Sequence, residues 1–511
     1  MKSFLISILL LMTTIKAQDV VELKTPGSGK IIIKLIFFNG SKNDPPGKEG
    51  ITYTTASLII QGGTGTLSYS GIQDKIYPWA ASYSSSVDKE VTIFTYAVHK
   101  DWLKDFYPIV RGLILEPSFS ESDFKRVKVN QQNYVDQVIR ASSDEDYSKV
   151  VLEDLLFKGT NYQHMVQGKS ASVNSITLED VKNYYKKNFT KNNLLIGIEG
   201  DYTGDFLDQL KKDMSRLPDL KPEIPPSPKI HIAEGIKVLI VSKKGAFGSA
   251  IYTGYPISIT RADDEFAALM IANSYLGEHR KSYGRLYQQL RETRSMNYGD
   301  YSYIEWYERG GNNMLPPSGV PRSSNYFSIW IRPVQIAKQL REQYPELSNI
   351  KIGHAHFALR MALREVQKLV DKGMTPDDFE STRSFLKSYI KLYVRTPNEQ
   401  LGYLMDSKFY GRKDYVSELE KLLDKVTLQD VNAAIKKYFQ IKNMDMAIVT
   451  DESEAENLAE SLRKNLDSPM SYSNLVKEGL TEEVLKEDSE TENFKLNIKS
   501  VEVVKSEDTF K

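Results

Sequence analysis

The chain has 511 residues, 67 basic side chains against 67 acidic ones, and no cysteine. Zero net charge leaves no basic stripe for nucleic acid or for an anionic membrane. The missing cysteines exclude disulfides, thiolate metal sites and cysteine nucleophiles, while 41% apolar residues suffice for sizeable cores.

The chain opens on Lys2 and the apolar run Phe4–Met12, with the small residue Ala17 suited to the position before a cut. About nine apolar residues are too few to cross a bilayer. Residues 1–17 therefore read as a cleaved secretory signal, and the mature protein as secreted or periplasmic and soluble. No later segment is apolar for long enough to predict a membrane span. Gly62-Gly63-Thr64-Gly65-Thr66 follows a helical pattern and lacks the lysine of a phosphate loop, so it reads as a helix stop.

Residues 175–201 and 425–451 are one sequence written twice, aligned without a gap at an offset of 250. In each copy a threonine, Thr177 or Thr427, stands three residues before an aspartate, Asp180 or Asp430, which predicts a capped helix start. Apolar residues then recur at helical spacing: Val181, Tyr184 and Tyr185 in one copy, Val431, Ala434 and Ile435 in the other. The helices should end near Phe189 and Phe439 and lead into strands over 194–198 and 444–449. A second matched pair of helix starts, Ser120 to Phe124 and Thr375 to Phe379, lies at an offset of 255. Repeats this far apart mean two related domains rather than a solenoid. Asp219–Gly235, with Pro222, Pro225, Pro226 and Pro228, reads as an extended connector between them. The expected fold is α+β, with domains over 18–218 and 236–470 and a linker over 219–235. A charged tail occupies 471–511. From about Thr481 the tail is either a disordered end or an edge strand around Phe494, Leu496 and Ile498.

Tyr162, Gly168, Thr177, Leu178, Asp180, Val181, Tyr185, Phe189, Asn193, Gly200 and Asp201 together resemble the N-terminal domain of the pitrilysin/insulinase family of zinc peptidases. Gly284-Arg285-Leu286 with Leu290, Arg291, Glu292 and Tyr298 is similar to the motif of that family's C-terminal domain. The resemblance covers most of residues 30–460. It implies two homologous α/β domains, each a mostly antiparallel sheet packed with helices, and two halves closing around a peptide chamber.

Family enzymes carry H-x-x-E-H on an early helix. Residues at i and i+4 share a helix face, so two imidazoles grip one zinc ion and the glutamate activates its water. The matching segment here runs from Gly50 to Thr64, with Tyr53 and Ser57 at the histidine positions and Ala56 at the glutamate position. Where a further glutamate is expected stands Asn130-Gln131-Gln132-Asn133. Hydroxyls and amides are poor zinc ligands, so no metal is expected in this chain. His99, His164, His231 and His279 are scattered, and His354 and His356 would point about 200° apart on a helix.

Arg291 and Tyr298, seven apart, would share one side of a regular helix. In the peptidases that the chain resembles, the matching pair contacts the substrate across the chamber from the zinc. The guanidinium would hold peptide carbonyls, and the phenol would stabilise the developing oxyanion. The segment 301–333, with Trp306, Tyr307, Pro316, Pro317, Pro321 and Trp330, reads as an ordered loop. It would line the chamber, bind a partner chain or pack on its own domain. The resemblance implies a non-catalytic subunit that supplies Arg291 and Tyr298 in trans to a zinc-bearing homologue cleaving unfolded peptides. The alternatives are an inert structural or peptide-binding homologue and a self-sufficient peptidase with an unorthodox site.

Overall fold

A computed structural model describes residues 19–229, 232–305 and 318–510. The signal segment 1–17, His231, Trp306, Tyr307, Pro316 and Pro317 lie outside the described residues. The first sheet contains β1 (Asp19–Lys24), β2 (Lys30–Phe37), β3 (Ser82–Val87), β4 (Thr92–His99) and β5 (Leu194–Gly200). The second contains β6 (Ile236–Ser242), β7 (Ser249–Ile257), β8 (Asp300–Tyr303), β9 (Asn325–Val334), β10 (Met444–Thr450) and β11 (Ile498–Lys505). Their orders are β1-β5-β2-β4-β3 and β11-β6-β10-β7-β9-β8. Without β11 they match strand for strand. In each, the pair at one end is parallel, β1 with β5 and β6 with β10, and the other pairings are antiparallel.

The repeated segments occupy equivalent places. Helices Leu178–Asn188 and Leu428–Tyr438 both begin with a capping box. Asp180 N donates to Thr177 Oγ1 at 3.1 Å and Asp430 N to Thr427 Oγ1 at 3.2 Å. Each aspartate in turn accepts the threonine N–H at 2.9 Å. β5 and β10 follow, buried along their whole lengths. Their period-2 alternation serves two cores at once. Leu194, Ile196 and Ile198 face the helical layer, and Leu195 faces the other way.

That other face of each sheet is covered by a helix from the opposite half. Helix Asp144–Leu156 crosses over to pack on β7 and β10, bringing Tyr147, Val151 and Leu152 against Tyr252, Ala447 and Val449. Helix Pro397–Phe409 returns the exchange by packing on β1 and β5, with Leu401 and Met405 against Val21, Ile32 and Leu195. Each such side chain contributes about 1.5–3 kcal/mol by leaving water. Gly197 permits the close approach, since a Cβ there would lie 2.2 Å from the Met405 sulfur. The boundary between the halves is therefore a chain boundary but not a packing boundary.

The segment after Thr481 forms helix Glu482–Glu492 and then β11, which pairs in parallel with β6. The tail thus completes the second sheet. Its helix is held by cations: Arg294 Nε donates to Asp488 at 2.7 Å and Nη2 to Glu487 at 2.9 Å, while Lys368 reaches Glu487 at 2.6 Å. Hydrogen bonds from Lys368 and Arg294 outweigh the upward push of burial and hold the Glu487 carboxyl down to about 2. The final residues return to the first half, where Tyr147 donates to the Ser506 carbonyl at 3.0 Å and Phe510 packs against the Tyr147 ring. The expected loop over 301–333 is corrected at both ends. Residues 300–303 are β8, residues 325–334 are β9, and Tyr301, Tyr303 and Trp330 are buried beneath helix Asp144–Leu156.

Candidate functional site

Helix Ile51–Gln61 carries the positions where zinc ligands would stand, and it is firmly placed. Gly50 precedes it at φ 99°, a conformation that favours glycine, and a Cβ there would meet the Gln167 carbonyl at 2.5 Å. Asp44 supplies the cap, accepting from Gly50 N at 2.6 Å and Thr52 N at 3.0 Å. His164 Nε2 lies 3.1 Å from the same carboxylate. Gly62 ends the helix. Helix Glu121–Asn133 runs antiparallel beside it, Arg126 touching Gln61 at one end and Gln131 touching Gly50 at the other.

The donor set on this scaffold does not suit zinc. Tyr53 is half-buried, while Ala56 and Ser57 are buried. Gln131 is already used: it donates to the Gly50 and Gln167 carbonyls at 3.0 and 2.8 Å and accepts from Thr54 at 2.7 Å. Gln132 bonds Asp136 and Ser170. A methyl, a phenol, a hydroxyl and neutral amides offer neither the soft donors nor the anionic ones that zinc takes. Among the described residues no group of three histidine, cysteine, aspartate or glutamate side chains is arranged to hold a metal ion. The described histidines do other work. His279 bonds the Tyr303 hydroxyl, and burial followed by nearby Arg280 presses it down to about 3. His354 bonds the Ser471 carbonyl and His356 the Ser461 hydroxyl, both buried. His99 is exposed beside Asp101.

β3 is the outer strand of the first sheet and lies against this helix. Among the described residues it pairs only with β4, and its other edge carries no strand. Ser82, Ser84 and Ser86 are exposed while Tyr83 and Val87 pack inward. The hairpin from β3 to β4 is fixed by Arg322 from the second half. That buried guanidinium bonds Asp88 twice, at 2.7 and 2.8 Å, and Glu153 at 2.7 Å. Sequence reasoning missed both features. A serine-rich strand carries little hydrophobic pattern, and a lone arginine gives no sign of partners 169 and 234 residues away.

Arg291 and Tyr298 do not share a helix face. Tyr287–Glu292 is one π-helical turn, Thr293 N bonding Gln288 O at 2.9 Å, and the backbone then turns through Ser295 at φ 54°. Tyr298 sits in the turn before β8, 76% exposed, with the Arg332 guanidinium 5.9 Å from its ring. Arg291 bonds Glu292 at 2.7 Å and lies 5.3 Å from the Tyr287 ring, with 37% of its side chain exposed. Buried Arg294, three residues on, ties this segment to the tail helix and was not singled out in the sequence.

Known proteins match this architecture. Residues 20–167 match the family model described as insulinase (peptidase family M16), and residues 175–386 match that described as the peptidase M16 inactive domain. A Helicobacter pylori protein named non-peptidase homolog YmxG is 22% identical over 422 residues, covering 82% of this chain and 88% of its own. A Bacillus subtilis protein named uncharacterized zinc protease YmxG is 20% identical over 78% of this chain and 88% of its own. The crystal structure of a peptidase M16 inactive domain from Pseudomonas fluorescens superimposes with a TM-score of 0.70 at 16% identity, over 85% of this chain and 96% of that one.

Proposed function

Because the chain belongs to the insulinase (M16) peptidase family and is a non-catalytic homologue within it, we propose that it is the substrate-binding subunit of a heterodimeric zinc peptidase. One observation carries the reading: an intact, capped helix bearing Tyr53, Ala56 and Ser57 lies beside the unpaired polar edge of β3. The chemistry is gone while a place for an extended peptide remains, since a free strand edge pairs with added backbone. The zinc belongs to the partner subunit. Tyr298 offers an exposed phenol, and Arg291 a half-exposed guanidinium that exchanges Glu292 for a peptide carbonyl. The lysine-led apolar start of the sequence supports a secreted or periplasmic location.

The test is purification of the chain alone and with a zinc-bearing homologue. Peptide cleavage should appear only for the pair and vanish with a chelator. Chelator-sensitive cleavage by the lone chain would sink the proposal, and so would full activity of a pair carrying Arg291→Ala and Tyr298→Phe. The contact of Arg291 with Glu292 and Tyr287 favours a second reading, an inert peptide-binding homologue in which that arginine is structural. Peptide binding without partner-dependent cleavage would select it.

A further inference from the structure

We propose that the cavity of about 330 Å³ between helix Phe266–Gly277 and helix Pro376–Tyr389 is a guanidinium site that takes an arginine side chain of a bound peptide. The first half contains the filled version. There Ser120 donates to Asp123 Oδ2 at 2.6 Å and accepts from Asp123 N at 3.2 Å. The other oxygen, Oδ1, accepts from Arg126 Nη2 at 2.8 Å. The same guanidinium bonds Gln61 at the end of helix Ile51–Gln61 and lies 5.3 Å from the Tyr69 ring.

The second half repeats the frame and omits the occupant. At the offset of 255, Thr375 donates to Asp378 Oδ2 at 2.7 Å and accepts from Asp378 N at 3.2 Å, in the geometry of Ser120 and Asp123. The residue equivalent to Arg126 is Ser381, which lines the cavity. Tyr275, from the facing helix, also bonds Asp378 Oδ2, at 3.1 Å, and among the described residues Oδ1 accepts no hydrogen bond. Tyr275, Tyr283 and Phe385 form the walls, the last two edge to face at 5.0 Å.

Arg285 itself lines the cavity and Lys281 stands near it, and both cations are already engaged. Arg285 bonds Glu365 at 3.1 and 3.3 Å, and Lys281 stands over Tyr389 at 4.5 Å and Phe385 at 5.7 Å. The Lys281 contact also demonstrates that this row of rings accepts a positive charge. A free carboxylate oxygen, aromatic walls and a volume at the small end of ligand pockets fit one planar cation rather than a cofactor. The peptide as carrier rests on the function proposed above; the guanidinium does not.

The full chain is titrated by calorimetry with N-acetyl-arginine methylamide and with its uncharged citrulline isostere. The arginine probe should saturate the wild type in roughly the millimolar range, as suits a single side chain. Citrulline should bind about tenfold or more weakly, the worth of one charge-assisted hydrogen bond. Ser381→Arg refills the site from within and should abolish binding while the melting temperature holds or rises. Asp378→Asn should weaken binding about tenfold. No saturation of the wild type, equal affinity for citrulline, or undiminished binding in folded Ser381→Arg would overturn the site. If partner-dependent cleavage succeeds while the probe fails, only this proposal falls; the converse removes only the peptidase reading.

Discussion

The two halves share five strands in one order, yet they finish their sheets differently. In the first half the edge beside the degenerate zinc helix is left open, six residues of β3 with serines toward solvent. In the second, the equivalent strand β8 also ends its sheet but is four buried residues, and β11 from the tail extends the opposite end beyond β6. Open strand edges are a liability that proteins usually cover. β8 and β3 both end their sheets, but only β3 turns a row of serines to solvent. The halves differ likewise at their helix pairs: Arg126 bonds Asp123 in the first, while in the second Ser381 stands at that place and lines a cavity beside Asp378.

Breaking the joint between the halves should have the largest effect. Arg322→Ala leaves Asp88 and Glu153 buried without their cation and should cost about 3–5 kcal/mol in denaturant unfolding. Next comes the tail. Glu487→Gln removes the acceptor shared by Arg294, Arg364 and Lys368 and should cost about 2 kcal/mol at pH 7. Its pH dependence has a fixed sign. The folded carboxyl sits near 2, below an ordinary glutamate at about 4.3. The stability it contributes is therefore present above about pH 5 and is lost as the pH falls toward 2. Melting curves of Glu487→Gln should be flatter over that window than those of the wild type.

The repeat itself gives a smaller and sharper test. Thr177→Ala and Thr427→Ala each remove the same cap and should each cost about 1 kcal/mol. The double variant should be additive, because the two caps share no partner. Unequal or non-additive costs would mean that the copies are alike in sequence only. The smallest change is expected from Arg291→Ala with Tyr298→Phe, within about 0.5 kcal/mol in stability, because Tyr298 is exposed and Arg291 bonds the exposed Glu292. A larger loss would assign the pair to the fold rather than to a substrate.

The features legible in the sequence were local ones. Thr177 with Asp180, and Thr427 with Asp430, mark helix starts through bonds spanning three residues, and the strands after them show as short apolar runs. Gly62 was readable as a helix stop for the same reason. The family motifs then supplied the sheets. Three things escaped. An amphipathic helix such as Asp144–Leu156 announces an apolar face but not which sheet receives it. Arg291 and Tyr298 were counted on a regular helix, and the π turn and Ser295 break that spacing. The aromatic stretch from Tyr301 to Pro333 was taken for a loop because prolines and glycines interrupt two genuine strands.

The exchanged helix has a consequence for how the protein is made. Asp144–Leu156 emerges from the ribosome roughly 300 residues before β10, against which it packs. The tail residues that bond Tyr147 and Arg140 are synthesised later still. The first half therefore cannot complete its packing on its own, and Val151 and Leu152 remain without their partners until β10 has been made. Such late, long-range closure folds slowly and leaves apolar surface open in the meantime. A chain built this way stays threadable until its second sheet has been made and becomes rigid only once the two halves have exchanged helices.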